Sequence, residues 1–218
     1  MTVSGVLLFP GAGSDRTHSS LVAIDEALSP VPCVRADFPY RKAGRRAPDR
    51  APVLLEAVRD EMAALGAPDQ LVLGGRSMGG RIASMVVADE VEPVPVRGLV
   101  LVAYPLHPPR CPDRLRVEHF PRLRVPCLFV SGTKDTFGSP DELLHWTATI
   151  PGPVEHVWIE GKGHDLKGAD DAVAAAVAEW VRSLPAVTRR RRQGPRGSTA
   201  RVPGARSRGT TGRRSALR

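Results

Sequence analysis

Short apolar runs alternate along the chain with longer segments whose apolar residues recur every three or four positions. The short runs predict six buried strands, at residues 3–9, 31–38, 71–74, 96–103, 125–131 and 154–159. The longer segments predict five helices, at residues 18–28, 50–65, 78–88, 140–148 and 169–184. Because strands and helices alternate almost throughout, we expect a parallel sheet covered by helices on both faces.

The charge of the chain is unevenly distributed, and this divides it into two parts. Of its 31 basic residues, eleven arginines lie in residues 186–218, which leaves 20 basic and 23 acidic residues, a net charge of −3, in the rest. We therefore expect a folded domain at residues 1–185 and a disordered tail at residues 186–218, rich in Arg, Gly, Pro and Ser. Such a tail is suited to weak, non-specific polyanion binding, or it is a dispensable solvated extension.

Two connections between the predicted strands bear on a binding site. Residues 39–49 read PYRKAGRRAPD and are expected to form a basic loop. Residues 104–124 join the fourth and fifth strands and are too few to form a substantial lid. An open site favours a small or accessible substrate.

The sequence G-x-S-x-G stands between the third strand and the helix that follows it, at Gly75 to Gly79. A serine nucleophile is presented on such a sharp strand-to-helix turn, where small residues two positions away avoid crowding. The alternative is an ordinary turn whose serine only caps the helix. We predict that Ser77 is a nucleophile and that the N–H of Met78 stabilises an oxyanion.

Two further residues of the right type follow two later strands, in the order expected for a serine hydrolase of this layout. Asp135 follows the fifth strand, and His164 lies in a glycine-flanked loop after the sixth. We predict that His164 is the general base and that Asp135 orients it. The alternatives are a surface histidine and a turn or helix-capping aspartate, and Asp165 is the reserve acid.

The loop after the first strand, PGAGS at residues 10–14, is the expected source of the second oxyanion donor. We choose the N–H of Ala12, with Gly11 and Gly13 as alternatives, because glycines let backbone approach a reacting atom. A plain strand-to-helix turn is the competing interpretation.

Together these motifs resemble the small uncapped α/β-hydrolases, often described as dienelactone-hydrolase-like. The chain is most similar to a branch that includes bacterial proteins and eukaryotic testis-expressed and NSL-complex-subunit relatives. The resemblance spans residues 3–184 and rests on these segments: PGAG at 10–13, FPYRKAGRRAPDR at 38–50, GGRSMGGR at 74–81, YPLHPP at 104–109, SGTKD at 131–135 and GKGH at 161–164.

The resemblance implies a minimal α/β-hydrolase fold of about six mainly parallel strands, with Ser77, Asp135 and His164 as a catalytic triad. It implies no particular substrate. Two departures stand out: Pro10 occupies a position where many hydrolases have histidine, and Ser77 stands where dienelactone hydrolases often carry cysteine. Some relatives serve as scaffolds, so the resemblance leaves room for an inactive protein.

The candidate substrate-binding residues lie in the loops around the predicted elbow: Gly11, Gly13, Arg41, Arg76, Tyr104 and His107. Arginines converging on the mouth of the site would favour an anionic substrate. The alternative, which we favour, is that they tie a long loop to acidic residues of the domain. The histidines lack metal-ligand spacing, and we expect neither a metal nor a cofactor.

The sequence thus predicts a serine hydrolase that cleaves a small-molecule carboxylic ester, or a thioester or amide. The alternative is an inactive hydrolase-fold scaffold or binding protein. No apolar run of about 18 residues occurs, so we expect no membrane span, and the first residues do not form a signal-peptide pattern. We expect a cytoplasmic protein and assign no oligomeric state.

Overall fold

Six strands form one parallel sheet in the order β2-β1-β3-β4-β5-β6 in the computed structural model, which describes residues 3–66 and 70–185. The strands are β1 (Gly5–Phe9), β2 (Cys33–Arg35), β3 (Leu71–Arg76), β4 (Gly98–Val102), β5 (Cys127–Gly132) and β6 (Val154–Ile159). All five neighbouring pairs are parallel. The predicted α/β fold with a parallel sheet is confirmed, while the prediction for residues 186–218 lies outside the described residues.

Helices cover both faces of the sheet. They are α1 (Ser19–Leu28), α2 (Pro39–Lys42), α3 (Ala51–Ala64), α4 (Met78–Val87), α5 (Pro140–Thr147) and α6 (Asp170–Ser183). Alternate residues of each strand point to opposite faces. Leu7 and Leu73 pack with the side of α3 and α4, while Leu8 and Val72 pack with the side of α1 and α6.

Two predicted segments differ from the structure by more than two residues at an end or in the type of element. The second strand is limited to three residues because β2 lies at the edge of the sheet, where Val34 is exposed. The predicted loop at residues 39–49 contains the short helix α2. Its first residue, Pro39, has a ring that fixes the backbone angle a helix start requires, and the adjacent Tyr40 is fully buried against Phe38.

The segment between β4 and β5 consists of turns and a single-turn 3-10 helix at Phe120–Arg122. The aromatic ring of Phe120 is buried against Tyr104 and Phe129, which holds this segment on the sheet. The loops that follow the carboxyl ends of the strands carry the sequence motifs, and they lie together at that side of the sheet.

Candidate active site

Ser77 occupies a strained turn between β3 and α4. Its backbone has φ 50° and ψ −116°, a region that a residue with a side chain rarely adopts. The Ser77 N–H donates to the carbonyl of Val102 at 2.8 Å, which ties the turn to β4. Strain at one serine in a hydrogen-bonded turn is a feature of functional sites.

The two glycines of G-x-S-x-G are required by close backbone contact with β1. A Cβ atom at Gly75 or at Gly79 would lie 2.2 Å from the carbonyl oxygen of Phe9. This is far inside the contact distance of carbon and oxygen, so only glycine fits at either position. The group that crowds both positions is thus the backbone at the end of β1.

Ser77, His164 and Asp135 form a continuous hydrogen-bonded chain. The Ser77 Oγ lies 2.8 Å from His164 Nε2, and His164 Nδ1 donates to Asp135 Oδ2 at 2.9 Å and Oδ1 at 3.1 Å. His164 follows β6 and Asp135 follows β5, so the parallel sheet brings both to the edge where Ser77 stands. Since the Nδ1 proton faces a carboxylate, Nε2 is left to accept a proton from the serine.

The carboxylate of Asp135 is held from a second side. Its side chain is 1% exposed, and its Oδ1 accepts a hydrogen bond from the backbone N–H of Phe137 at 2.8 Å. The ring of Phe137 also stacks on the imidazole of His164, with ring centres 3.9 Å apart. Phe137 therefore limits the movement of both groups. The sequence reasoning missed this residue, although its position two places after an aspartate is typical of such a turn.

The loop after β1 lies beside Ser77. A Cβ atom on Gly11 would be 3.5 Å from the Ser77 Cβ. The carbonyl of Gly11 accepts from Ser14, and the carbonyl of Ala12 accepts from the Tyr40 hydroxyl at 2.9 Å. These bonds restrain the loop on its carbonyl side, whereas Gly13 has open space around its Cα.

Two backbone N–H groups of residues that line the cavity with Ser77 have no acceptor in the described part of the chain. Met78 is the first residue of α4, so its N–H has no acceptor within the helix. Ala12 N–H likewise donates to no other group among residues 3–66 and 70–185. Both residues line the same cavity as Ser77. They are therefore available to a developing negative charge.

Arg76 lies behind Ser77 rather than in the cavity. Its Nη2 donates to the backbone carbonyl of His164 at 3.0 Å, and its Nε is buried without a hydrogen-bond partner. Burial lowers the pKa of its guanidinium, an effect opposed by the nearby carboxylates of Asp165, Asp135 and Asp170. The residue that the sequence offered as a substrate contact thus connects the elbow with the histidine loop.

A cavity of about 350 Å³ opens in front of Ser77. Its lining residues come from five segments of the chain: Ala12, Pro48, Asp49, Ala51, Leu54, Ser77, Met78, Arg81, Pro105, Arg116 and Phe137. Apolar side chains such as Leu54, Met78 and Phe137 surround the serine, and two arginines contribute positive charge. The sequence reasoning did not single out Arg116 or Leu54, whose approach to Ser77 depends on how distant loops fold.

Three other candidates lie away from this cavity in the described structure. Arg41 pairs with Asp15 at 3.5 Å and lines a separate surface cleft. Tyr104 is buried in the core, and its hydroxyl donates to the carbonyl of Arg116 at 2.9 Å. His107 is buried with Nε2 3.3 Å from a carboxylate oxygen of Glu142. Arg41 thus ties its loop to an acidic residue of the domain, which is the alternative to substrate binding given above for the arginines.

Within residues 3–66 and 70–185, no three His, Cys, Asp or Glu side chains are grouped so as to hold a metal ion. Over the same residues, each helix is too short or too polar to cross a bilayer.

Residues 3–186 match the family model described as an alpha/beta hydrolase domain. Among solved structures, an alpha-beta serine hydrolase homologue from Coxiella burnetii is similar, with a TM-score of 0.64 and 19% identity over 82% of this chain and 86% of that one. The RedJ thioesterase from the prodiginine pathway of Streptomyces coelicolor has a TM-score of 0.62 and 21% identity over 82% and 91% of the two chains. The esterase domain of a Rhodothermus marinus protein has a TM-score of 0.62 and 17% identity over 84% and 88%.

Proposed function

The chain belongs to the alpha/beta hydrolase family, and from this premise we propose that it is a serine hydrolase that cleaves a carboxylic ester, a thioester or an amide. The observation that carries the proposal is the hydrogen-bonded chain from Ser77 through His164 to Asp135, with distances of 2.8 and 2.9 Å. An ester-type substrate is consistent with the esterase and thioesterase folds among the structural neighbours, which share the architecture alone.

In the proposed acylation step, the Ser77 Oγ attacks the carbonyl carbon of the substrate while His164 Nε2 takes the hydroxyl proton. Asp135 accepts the Nδ1–H bond and stabilises the imidazolium that forms. The N–H groups of Met78 and Ala12 stabilise the tetrahedral oxyanion, and each such donor lowers the barrier by about 3 kcal/mol. Collapse of the intermediate expels the alcohol, thiol or amine, which receives its proton from His164.

Deacylation repeats these roles with water as the nucleophile. His164 takes a proton from the water molecule, and hydroxide adds to the acyl carbonyl while the same two N–H groups stabilise the charge. The tetrahedral intermediate then collapses to the carboxylic acid product. The Ser77 oxygen leaves and receives the proton from His164. In both steps the hydrogen-bonded chain moves the proton and the two backbone donors stabilise the charge.

The finer family placement is also a proposal. The motifs at residues 10–13, 38–50, 74–81 and 161–164 favour the dienelactone-hydrolase-like branch with testis-expressed and NSL-complex-subunit relatives. The cytoplasmic location, the disordered tail and its weak polyanion binding stay predictions from the sequence. The rival function is an inactive scaffold, which Pro10 in the oxyanion loop favours because it replaces a histidine that often fixes that loop.

The proposal is tested by labelling the purified protein with a neutral fluorophosphonate, followed by turnover of p-nitrophenyl acetate and butyrate. Wild-type protein and a Ser4→Ala control, altered at an exposed serine, should be labelled, whereas Ser77→Ala should not. His164→Ala should lose about 10⁴-fold or more in kcat. Absence of labelling in a folded sample would overturn the proposal and support the scaffold. Matched thioester and amide substrates then separate the three bond types.

A further inference from the structure

Two arginine side chains line the cavity in front of Ser77 without a carboxylate partner in the described structure. Arg81 lies one turn into α4, and its guanidinium contacts the sulfur of Met85 at 3.4 Å. Arg116 comes from the segment between β4 and β5. Neither side chain takes part in an ion pair within residues 3–66 and 70–185, whereas Arg41 and Arg45 each pair with an aspartate.

The backbones of both arginines are anchored by a buried polar network. The Ser84 hydroxyl donates to the carbonyl of Arg81 at 2.8 Å, and the Tyr104 hydroxyl donates to the carbonyl of Arg116 at 2.9 Å. Ser84 is fully buried, Tyr104 is 1% exposed, and His119 Nε2 lies 2.8 Å from the Ser84 hydroxyl. Polar groups buried at this depth cost free energy unless they are satisfied, so the network holds its partners in defined positions.

The balance of charge at this side of the cavity is positive. Burial lowers the pKa of the Arg116 guanidinium, and the neighbouring charges of Arg81 and Arg114 lower it further. Asp49 also lines the cavity; its Oδ1 is bound by Arg45 at 2.7 Å, and its Oδ2 is buried without a hydrogen-bond partner. The two arginines outnumber this one carboxylate among the lining residues. Two guanidinium groups that line one cavity repel each other, and an anion bound between them would relieve that repulsion.

We propose that Arg81 and Arg116 bind an anionic oxygen group of the substrate, a carboxylate or a phosphate, while Ser77 attacks an ester or thioester carbonyl of the same molecule. The inference rests on the proposed hydrolase function and adds the class of substrate. Guanidinium groups suit this task because their planar donors match the oxygens of carboxylate and phosphate. Because the described segment between β4 and β5 forms turns and one 3-10 turn rather than a lid domain, a charged group can enter the cavity directly.

The test compares matched neutral and anionic esters. On the acyl side the pair is p-nitrophenyl butyrate and the p-nitrophenyl monoester of succinic acid. On the leaving-group side it is phenyl acetate and 4-acetoxybenzoate. We expect the anionic member of at least one pair to have a kcat/KM at least about tenfold higher in the wild type. Inhibition by free succinate and by inorganic phosphate then separates carboxylate from phosphate recognition.

The variants are Arg81→Met and Arg116→Met. The matched control is Arg124→Met, at an exposed position before the amino end of β5, whereas Ser77 lies beyond the carboxyl ends of the strands. Each of the first two should lower the ratio of anionic to neutral kcat/KM to near one, while Ser77 is still labelled by the neutral fluorophosphonate. Arg124→Met should keep the preference. Retained labelling also shows that a variant is folded.

Two negative results have different meanings. Hydrolysis of the neutral esters with no preference for either anionic ester, or a preference that survives both arginine variants, would overturn the anion site and leave the hydrolase proposal intact. Absence of both labelling and turnover would overturn the hydrolase proposal and, with it, this inference.

Discussion

Arg76 and His164, 88 positions apart in the chain, are joined by a hydrogen bond of 3.0 Å from the guanidinium Nη2 to the backbone carbonyl. Arg76 directly precedes Ser77, so this bond connects the elbow with the loop that carries the proposed general base, His164. The same guanidinium lies close to Gly11 in the loop that supplies the proposed oxyanion donor. One half-buried side chain therefore connects three loops of the candidate site.

We predict that Arg76→Met lowers kcat by about tenfold to hundredfold while KM for a neutral ester changes little, because a displaced general base slows chemistry more than binding. The measurement is steady-state hydrolysis of p-nitrophenyl butyrate across a range of pH. Arg46→Met, at an exposed position in the loop after α2, is the control and should keep the wild-type kcat. A raised KM with unchanged kcat would instead mean that Arg76 contacts the substrate.

The choice between the two candidate acids can be tested directly. Asp135 binds His164 Nδ1, whereas the carboxylate of the adjacent Asp165 accepts from the backbone N–H of Lys167 at 3.3 Å. We predict that Asp135→Asn lowers kcat by about 10³- to 10⁴-fold, since an amide cannot stabilise the imidazolium. Asp165→Asn should leave kcat near the wild-type value. Equal losses in the two variants would contradict the assignment of Asp135.

The glycine at position 79 is expected to be essential for stability. A Cβ atom there would meet the carbonyl oxygen of Phe9 at 2.2 Å, and backbone on both sides leaves no flexible group to move. We predict that Gly79→Ala lowers the free energy of unfolding by about 3 kcal/mol or more. Urea denaturation checks this, with Gly13→Ala as the control because no atom lies within 4 Å of its Cβ position. A stable Gly79→Ala protein would contradict the packing of α4 on β1.

Stability is expected to fall in mild acid because of His119. Burial lowers the pKa of this imidazole from 6.5 to about 4, so below pH 6.5 the unfolded chain takes up a proton that the folded protein does not. His119 therefore removes about 2 kcal/mol of unfolding free energy between pH 6.5 and pH 5.

The measurement is urea denaturation at pH 7 and pH 5, comparing the wild type with His119→Gln. The variant should lose less stability in acid, although burial also lowers the pKa values of His18 and His156, so part of the dependence remains. His145→Gln, at an exposed position, is the control and should resemble the wild type. An identical pH dependence in His119→Gln would show that folding does not lower the pKa of His119.

The strands and helices were predictable because their signals are local. The six apolar runs become the six strands, and β6 has the predicted limits, residues 154–159. The limits of β2 were not predictable, because the exposure of Val34 depends on its place at the edge of the sheet. Ser77, Asp135 and His164 could be identified from the sequence as candidate site residues because each follows a strand. Parallel strands bring their carboxyl ends to one edge of the sheet.

The sequence by itself therefore determined the architecture and the residue types available at the edge of the sheet. The tertiary structure alone decided which side chains meet there. The contact of Arg76 with His164, the stacking of Phe137 on the imidazole and the convergence of Arg81 and Arg116 on one cavity join segments whose spacing carries no periodic signal. Tyr104 was a candidate for substrate binding from the sequence, but its side chain is buried in the core. The sequence could not show this, because the apolar packing around a ring depends on the whole fold.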